Sequence, residues 1–119
     1  MARILIIDDS SFQRGIIKKT LLQAGYETIE AKNGEEGLLR ALDATPDLIL
    51  LDLVMPEMDG FTVLTELQKQ QNAVPVLVLT ADIQEITREQ CLALGATGFL
   101  NKPVKAEELI RAVQGGIRV

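Results

Sequence analysis

The sequence predicts an α/β fold in which a doubly wound, five-stranded parallel sheet lies between two layers of helices. Short runs of Ile, Leu and Val alternate with stretches of helical spacing, which makes five β-then-α units along 119 residues. Three of these runs are nearly continuous, as is typical of strands buried on both faces of a parallel sheet. The length is that of one domain, so we expect residues 1–119 to form a single domain.

The predicted strands are the segments through which apolar residues run with little interruption: Arg3–Asp8, Glu27–Ala31, Asp47–Asp52, Pro75–Thr80 and Thr97–Leu100. Between and after them, apolar residues recur at the spacing of one helix face. The residues expected on these faces are, helix by helix, Ile16, Ile17, Thr20, Leu21 and Ala24; Leu38, Ala41 and Leu42; Phe61, Leu64 and Leu67; Ile83, Ile86, Cys91 and Leu94; and Leu109, Val113 and Ile117.

Polar residues mark two helix starts. Asn33 and Glu36 have the spacing of a capping box before the second helix. Lys105 stands where Ser, Thr or Asp would cap the last helix better, and Glu107 and Glu108 partly offset this at the positive end of the helix dipole.

Composition and charge exclude several classes of protein. The proportions, 47% hydrophobic and 24% charged residues, are those of a soluble globular protein, which we expect to be cytoplasmic. Lys and Arg number 12 against 17 Asp and Glu, and the net charge of −5 argues against direct nucleic-acid binding. Runs of Ile, Leu and Val stop at four residues, far below the roughly 20 that span a bilayer, so no membrane insertion is expected. A single cysteine and no histidine leave carboxylates, hydroxyls and amines for any chemistry.

The chemically interesting residues stand where strands end. Asp8 and Asp9 follow the first strand, Asp52 closes the third, Thr80 closes the fourth, and Lys102 follows the fifth. The carboxyl ends of parallel strands share one edge, where ligands bind in open α/β sheets. In any strand order that makes these strands neighbours, three carboxylates, a hydroxyl and an ammonium group lie close together.

Three neighbouring carboxylates need either raised pKa values or a bound cation. Oxygen ligands without His or Cys point to a hard cation such as Mg²⁺. A carboxylate that attacks a phosphoryl group needs the same partners, because the metal and a lysine neutralise its negative charge.

Each of these residues also has a simpler interpretation. Asp8, Asp9 and the two serines that follow could cap the first helix. Thr80 could be an ordinary strand residue, and Lys102 a solvated loop residue. Asp52 differs because it lies between Leu48–Leu51 and further apolar residues, where an acid without a role would be costly.

The ordered set of motifs resembles the CheY-like receiver domains of two-component response regulators over essentially the whole chain. The shared elements are Asp8-Asp9, Leu50-Leu51-Asp52-Leu53-Val54-Met55-Pro56, Met58-Asp59-Gly60, Thr80-Ala81, Gly95-Ala96 and Lys102-Pro103. The resemblance implies the strand order 2-1-3-4-5.

The resemblance also implies a role for each site residue. Asp52 is the implied phosphoacceptor, and Lys102 pairs with its carboxylate and then with the phosphoryl group. Asp9 and Asp52 are the implied direct Mg²⁺ ligands, the carbonyl of Val54 is a third, and Asp8 acts mainly through water.

Further positions are implied to control the response. Thr80 and Phe99 form the switch, and a cis bond before Pro103 would direct the lysine inward. Val54 and Asp82 occupy the two positions that tune the lifetime of the phosphoryl group. Val54 cannot hold an attacking water by a hydrogen bond, which predicts a longer lifetime than with Asn there.

The function implied is a phosphorylation-dependent signalling switch. A sensor histidine kinase or a phosphotransfer protein supplies the phosphoryl group, and the domain catalyses only its own phosphorylation and autodephosphorylation. The active surface is expected on helix 4, strand 5 and helix 5, about Ile83–Gly95, Thr97–Leu100 and Ala106–Gln114, where an effector protein binds. A phosphatase is a possible further partner, and the expected state is a monomer or a weak phosphorylation-dependent dimer. Met1 and the lack of a linker favour a stand-alone protein.

Two other functions fit parts of the pattern. A metal-dependent phosphatase or mutase also uses an Asp nucleophile, but usually needs an Asp-x-Asp arrangement and a covering cap. A flavin-binding module of similar topology would need a different first loop from Asp-Asp-Ser-Ser.

Overall fold

Strands and helices alternate along the chain, as the apolar pattern predicts. The computed structural model describes residues 2–81 and 84–117. The elements are β1 (Arg3–Ile7), α1 (Ser11–Gln23), β2 (Glu27–Ala31), α2 (Gly34–Asp43), β3 (Leu48–Asp52), α3 (Gly60–Lys69), β4 (Val76–Thr80), α4 (Glu85–Ala93), β5 (Gly98–Asn101) and α5 (Ala106–Gly116). Of the predicted strands, β2 has the expected bounds and the others differ from them by one residue at one or both ends.

The five strands form one parallel sheet in the order β2-β1-β3-β4-β5. This confirms the predicted fold class and the implied strand order. The register pairs Ile7 with Leu51 and Asp52 with Leu79, so β1, β3 and β4 end at nearly the same level. Because strand order reverses between β1 and β3, a crevice opens at the carboxyl edge beside their ends.

The core has two halves, one on each face of the sheet. Alternate residues of a strand point to opposite faces. Leu5 and Ile49 therefore pack with residues of α2, α3 and α4, whereas Ile4 and Leu48 pack with residues of α1 and α5. Cys91 is fully buried in the first half, as expected. The central strands are covered on both sides, which explains their continuous apolar sequence.

Capping residues set where the helices begin. Ser10 caps α1 and accepts a hydrogen bond from the Gln13 amide, so neither Asp8 nor Asp9 caps this helix. Asn33 caps α2 as predicted, accepting from the Glu36 amide at 2.8 Å.

The predicted helix faces are partly wrong. Ile16, Leu42 and Ile86 are 49%, 55% and 60% exposed. α1, α2 and α4 bury narrower stripes against the sheet than their apolar residues suggest; in α4 the buried residues are Thr87 and Cys91. Ile83 lies outside the described residues. Within the described part of the chain, no helix combines the length and apolar composition needed to cross a membrane.

Candidate functional site

An acidic cluster lies at the carboxyl edge of the sheet. Asp8 and Asp9 follow β1, and Asp52 is the last residue of the neighbouring strand β3. Each of the three contributes one carboxylate oxygen to a group in which all such atoms lie within 4.8 Å of one another. The structure thus brings together the three acids that the sequence places at strand ends.

Asp8 is the most firmly held of the three acids. It is 2% exposed, its Oδ1 accepts a hydrogen bond from the Ser10 amide at 2.9 Å, and its amide donates to the Ala31 carbonyl at 3.1 Å. Its own carbonyl accepts a hydrogen bond of 2.6 Å from Arg14. Backbone and side chain are therefore both fixed. Arg14 is a part of the site that no sequence motif indicates.

Lys102 lies between two of these acids. Its Nζ is 3.3 Å from Asp8 Oδ2 and 3.5 Å from Asp52 Oδ1. The Lys102 amide donates to the Thr80 carbonyl at 2.7 Å, which anchors the loop after β5 to the end of β4. The peptide bond between Lys102 and Pro103 is cis. Lys102 is therefore part of the cluster and not a solvated loop residue.

Burial dominates the electrostatics of Asp52. Its pKa is raised above the ordinary 3.8, chiefly because burial disfavours the charged form; Lys102 opposes this effect and the charge of Asp8 adds to it. The Val54 amide donates to its Oδ1 at 3.4 Å and favours the charged form slightly. One lysine is thus insufficient to offset the desolvation of this carboxylate and the charge of its acidic neighbour.

The residues present fit a hard divalent cation. The cluster offers carboxylate oxygens, with no nitrogen or sulfur ligand, and Asp9 is exposed where an ion could reach it. Mg²⁺ prefers such oxygen ligands and keeps several of its waters. The cluster could therefore hold a metal ion.

The two expected switch residues lie on neighbouring strands. Thr80 is fully buried at the end of β4, one residue beyond the partner of Asp52 in the register. Phe99 in β5 pairs with Val78 and packs, partly buried, against the core half on the α4 side. By strand alternation Thr80 faces that same side. It lines a cavity of about 240 Å³ together with Thr87, a buried α4 residue that no sequence motif indicates.

Val54 and Asp82 are the two residues expected to tune the phosphoryl lifetime. Val54 is 73% exposed beside the acidic cluster, so a water molecule can reach it. Asp82 lies outside the described residues.

The strand order places the protein among the doubly wound α/β proteins, in which ligands usually bind at the crevice where strand order reverses, here beside β1 and β3 where the acidic cluster lies. Comparison with known proteins identifies the family. The chain belongs to the response regulator receiver domains, whose family pattern matches residues 4–114. This assignment favours neither the phosphatase nor the flavin-binding alternative.

Several relatives match nearly the whole chain. It is 35% identical over 112 residues to the chemotaxis protein CheY of Bacillus subtilis, covering 93% of each chain, and 36% identical to the protein PilH of Pseudomonas aeruginosa, covering 95% of each. The solved structure of CheY4 from Vibrio cholerae superposes with a TM-score of 0.93 at 36% identity, covering 98% of this chain and 99% of that one.

Other relatives are longer. The chain is 35% identical over 116 residues to the transcriptional regulatory protein PhoP of Bacillus subtilis, of which it covers 48%. It therefore spans about half the length of this relative. The receiver domain family acts in signalling both as separate proteins of this size and within larger ones.

Proposed function

We propose that residues 1–119 form a single receiver domain that accepts a phosphoryl group on Asp52 and thereby switches its affinity for an effector protein. The observation that supports this most directly is the position of Asp52, buried at the end of β3 with the Lys102 ammonium 3.5 Å from its Oδ1. A carboxylate with a cation beside it can attack a phosphorus atom that carries spread negative charge.

The donor is a phosphohistidine of a sensor kinase or a phosphotransfer protein, or a small acyl phosphate. An oxygen of Asp52 forms the new bond to phosphorus as the bond to the donor breaks, and the leaving group takes the electron pair. Lys102 then neutralises charge on the transferred group, since its ammonium already lies next to the acceptor oxygen. The domain catalyses only this transfer and the later hydrolysis of the aspartyl phosphate, in which water attacks phosphorus and the Asp52 carboxylate leaves.

The acidic cluster is the proposed Mg²⁺ site. Asp9, Asp52 and the Val54 carbonyl would hold the ion directly, and Asp8 would support it mainly through water. When bound, Mg²⁺ supplies positive charge to phosphoryl oxygens and lowers the repulsion among the carboxylates. Asp8 is already held by Lys102 and the Ser10 amide, so its position does not depend on the ion.

The added charge is proposed to act through Thr80 and Phe99 on a surface formed by α4, β5 and α5. Phosphorylation shifts an existing equilibrium between two conformations, because the phosphoryl group binds one of them better. The effector binds this surface, and a phosphatase can act at Asp52.

We further propose that the protein is cytoplasmic and makes no direct contacts with nucleic acid. It is a monomer, or a weak dimer that forms on phosphorylation.

Chemical labelling tests the proposal. The chain is incubated with acetyl phosphate and Mg²⁺, and its intact mass is measured. We expect the mass of one phosphoryl group on the natural chain and on the control Asp43→Asn, which changes a side chain on α2 that is 46% exposed. Asp52→Asn and the natural chain in EDTA should stay unlabelled. Equal labelling of Asp52→Asn would disprove the assignment of the acceptor.

A further inference from the structure

We propose that Arg14 is a positioning residue that fixes the backbone from which the Asp9 carboxylate reaches the metal site, by holding the carbonyl of Asp8. This inference rests on the proposed function, because it concerns the residues assigned to Mg²⁺. The hydrogen bonds that Arg14 makes in the described structure go to Glu30 and to the Asp8 carbonyl, so it acts through the backbone that carries the carboxylates.

The Arg14 guanidinium bridges three elements at the carboxyl edge. It projects from α1 with its side chain 14% exposed. Its Nη1 donates to the Asp8 carbonyl at 2.6 Å, and its Nε donates to Glu30 Oε1 at 3.1 Å near the end of β2. Glu30 is also 3.5 Å from the Lys18 ammonium. A planar guanidinium held on two sides is a rigid support, because its N–H groups have a fixed geometry.

The carbonyl that Arg14 holds belongs to the peptide group joining Asp8 to Asp9. That group is planar, so fixing its oxygen also fixes the position from which the Asp9 side chain starts. On the preceding side, the Asp8 amide donates to the Ala31 carbonyl at 3.1 Å. On the following side, Ser10 begins α1 as its cap. Arg14 is thus the third contact that holds this segment, together with the Ala31 carbonyl before it and the start of α1 after it.

Asp9 needs such support more than its neighbours do. Asp8 and Asp52 are buried and each lies within 3.5 Å of Lys102, whereas Asp9 is exposed. In the described part of the chain, none of the ion pairs involves Asp9. The place from which its carboxylate reaches an ion therefore depends on the backbone, which Arg14 helps to hold.

Positioning and simple electrostatics predict opposite results when Arg14 is removed. Loss of a positive charge beside an acidic cluster would tighten the binding of any divalent cation. Loss of positioning would weaken it, and would weaken Mg²⁺ more than Ca²⁺, because Mg²⁺ demands near-ideal octahedral geometry and Ca²⁺ tolerates irregular ligands. Comparing the binding of Mg²⁺ and Ca²⁺ therefore distinguishes a positioning role of Arg14 from a purely electrostatic one.

The chain contains a matched control. Arg3 stands at the start of β1, at the opposite edge of the sheet, and makes the same kinds of contact. Its Nη1 donates to the Ala44 carbonyl at 3.0 Å and its Nε lies 3.8 Å from Glu27 Oε2. Arg3→Met therefore removes a comparable bridge between backbone and carboxylate, far from the acidic cluster.

Calorimetric titration of the full chain with Mg²⁺ and with Ca²⁺ tests the proposal. Arg14→Met should weaken Mg²⁺ binding about 10-fold or more, the effect usual for residues that orient metal ligands, and Ca²⁺ binding clearly less. Arg14→Lys, which keeps the charge but has a single donor group, should lie between Arg14→Met and the natural chain. Arg3→Met should bind both ions as the natural chain does.

The outcomes separate this inference from the function on which it rests. If the natural chain binds no Mg²⁺, both fail. If it binds Mg²⁺ and Arg14→Met binds equally or more tightly, only the role of Arg14 is disproved. If circular dichroism shows that Arg14→Met does not fold, Arg14→Lys decides: weaker Mg²⁺ binding supports the role, and unchanged binding overturns it.

Discussion

The Lys102 ammonium lies 3.3 Å from Asp8 Oδ2, although the two residues are 94 positions apart in the chain. Asp8 follows β1 and Lys102 follows β5, and β3 and β4 separate these strands in the sheet. The Lys102 amide anchors the loop after β5 to the end of β4, and from there the lysine ammonium reaches both Asp8 and Asp52. The contact holds a cation beside Asp52, the proposed acceptor, before any phosphoryl group arrives.

Lys102→Met should separate phosphoryl transfer from metal binding. We expect labelling by acetyl phosphate to slow about 100-fold, the usual cost of removing one group that stabilises developing charge. Mg²⁺ should bind as tightly as before or more tightly, because a competing cation has been removed. Labelling rate and Mg²⁺ titration measure the two effects. Lys105→Met, at an exposed helix start without a side-chain cap, is the control. An unchanged labelling rate would contradict the role of Lys102.

Asp52→Asn should change how stability depends on pH. Since burial raises the pKa of Asp52 above 3.8, its charged form is less favourable in the folded than in the unfolded chain. Ionisation therefore destabilises the natural protein as pH rises through the folded pKa, and this penalty is absent below 3.8. In EDTA, Asp52→Asn should be the more stable protein at pH 7, and its advantage should shrink as pH falls.

Urea unfolding in EDTA at a series of pH values measures this difference, with Asp43→Asn as the control for losing one surface charge. With Mg²⁺ present at neutral pH, the natural chain should instead be more stable than Asp52→Asn. At 100 times its dissociation constant, the ion should stabilise the natural chain by about 2.7 kcal/mol and Asp52→Asn by clearly less. An advantage of Asp52→Asn that stays constant with pH would rule out the buried charge as its cause.

Gly60→Ala should destabilise the loop that carries the site. A Cβ there would lie 2.7 Å from Leu53 Cα and 2.9 Å from the Asp52 carbonyl oxygen, and both are backbone atoms. We expect a loss of about 1–3 kcal/mol, as is usual for overpacking. Gly15→Ala is the matched control, because a Cβ there meets nothing within 4 Å inside α1. It should stabilise the chain by about 0.5–1 kcal/mol. Urea unfolding measures the stability of both variants. Equal changes in their free energies of unfolding would contradict the prediction.

Val54→Asn should shorten the lifetime of the aspartyl phosphate. Val54 is exposed beside the proposed acceptor, and its side chain offers attacking water no hydrogen bond, whereas an amide side chain can orient the water. We expect several-fold faster loss of label once acetyl phosphate is removed with Mg²⁺ present. Val54→Ala, which changes size without adding a polar group, should decay like the natural chain. Equal decay of the Asn variant would refute the prediction.

Sequence patterns predicted the helices and strands well because these patterns reflect interactions between neighbouring residues. The bounds of β2 agree fully, and Asn33 caps α2 as its spacing with Glu36 indicates. Helix faces were harder to predict: Ile16 and Ile86 are apolar yet exposed. Which side of a helix meets the sheet depends on how the whole layer packs, and an apolar residue at its margin looks the same in the sequence as one in the core.

The sequence by itself determined which segments are strands and which polar residues end them, because periodicity and strand ends are properties of neighbouring residues. Asp52 could be recognised as unusual from its apolar surroundings alone. Only the tertiary structure decided that Lys102 reaches Asp8, that Ser10 and not Asp8 caps α1, and that Arg14 holds the Asp8 carbonyl. These contacts depend on distances among β1, α1, β2 and β5, which arise from the packing of the whole sheet.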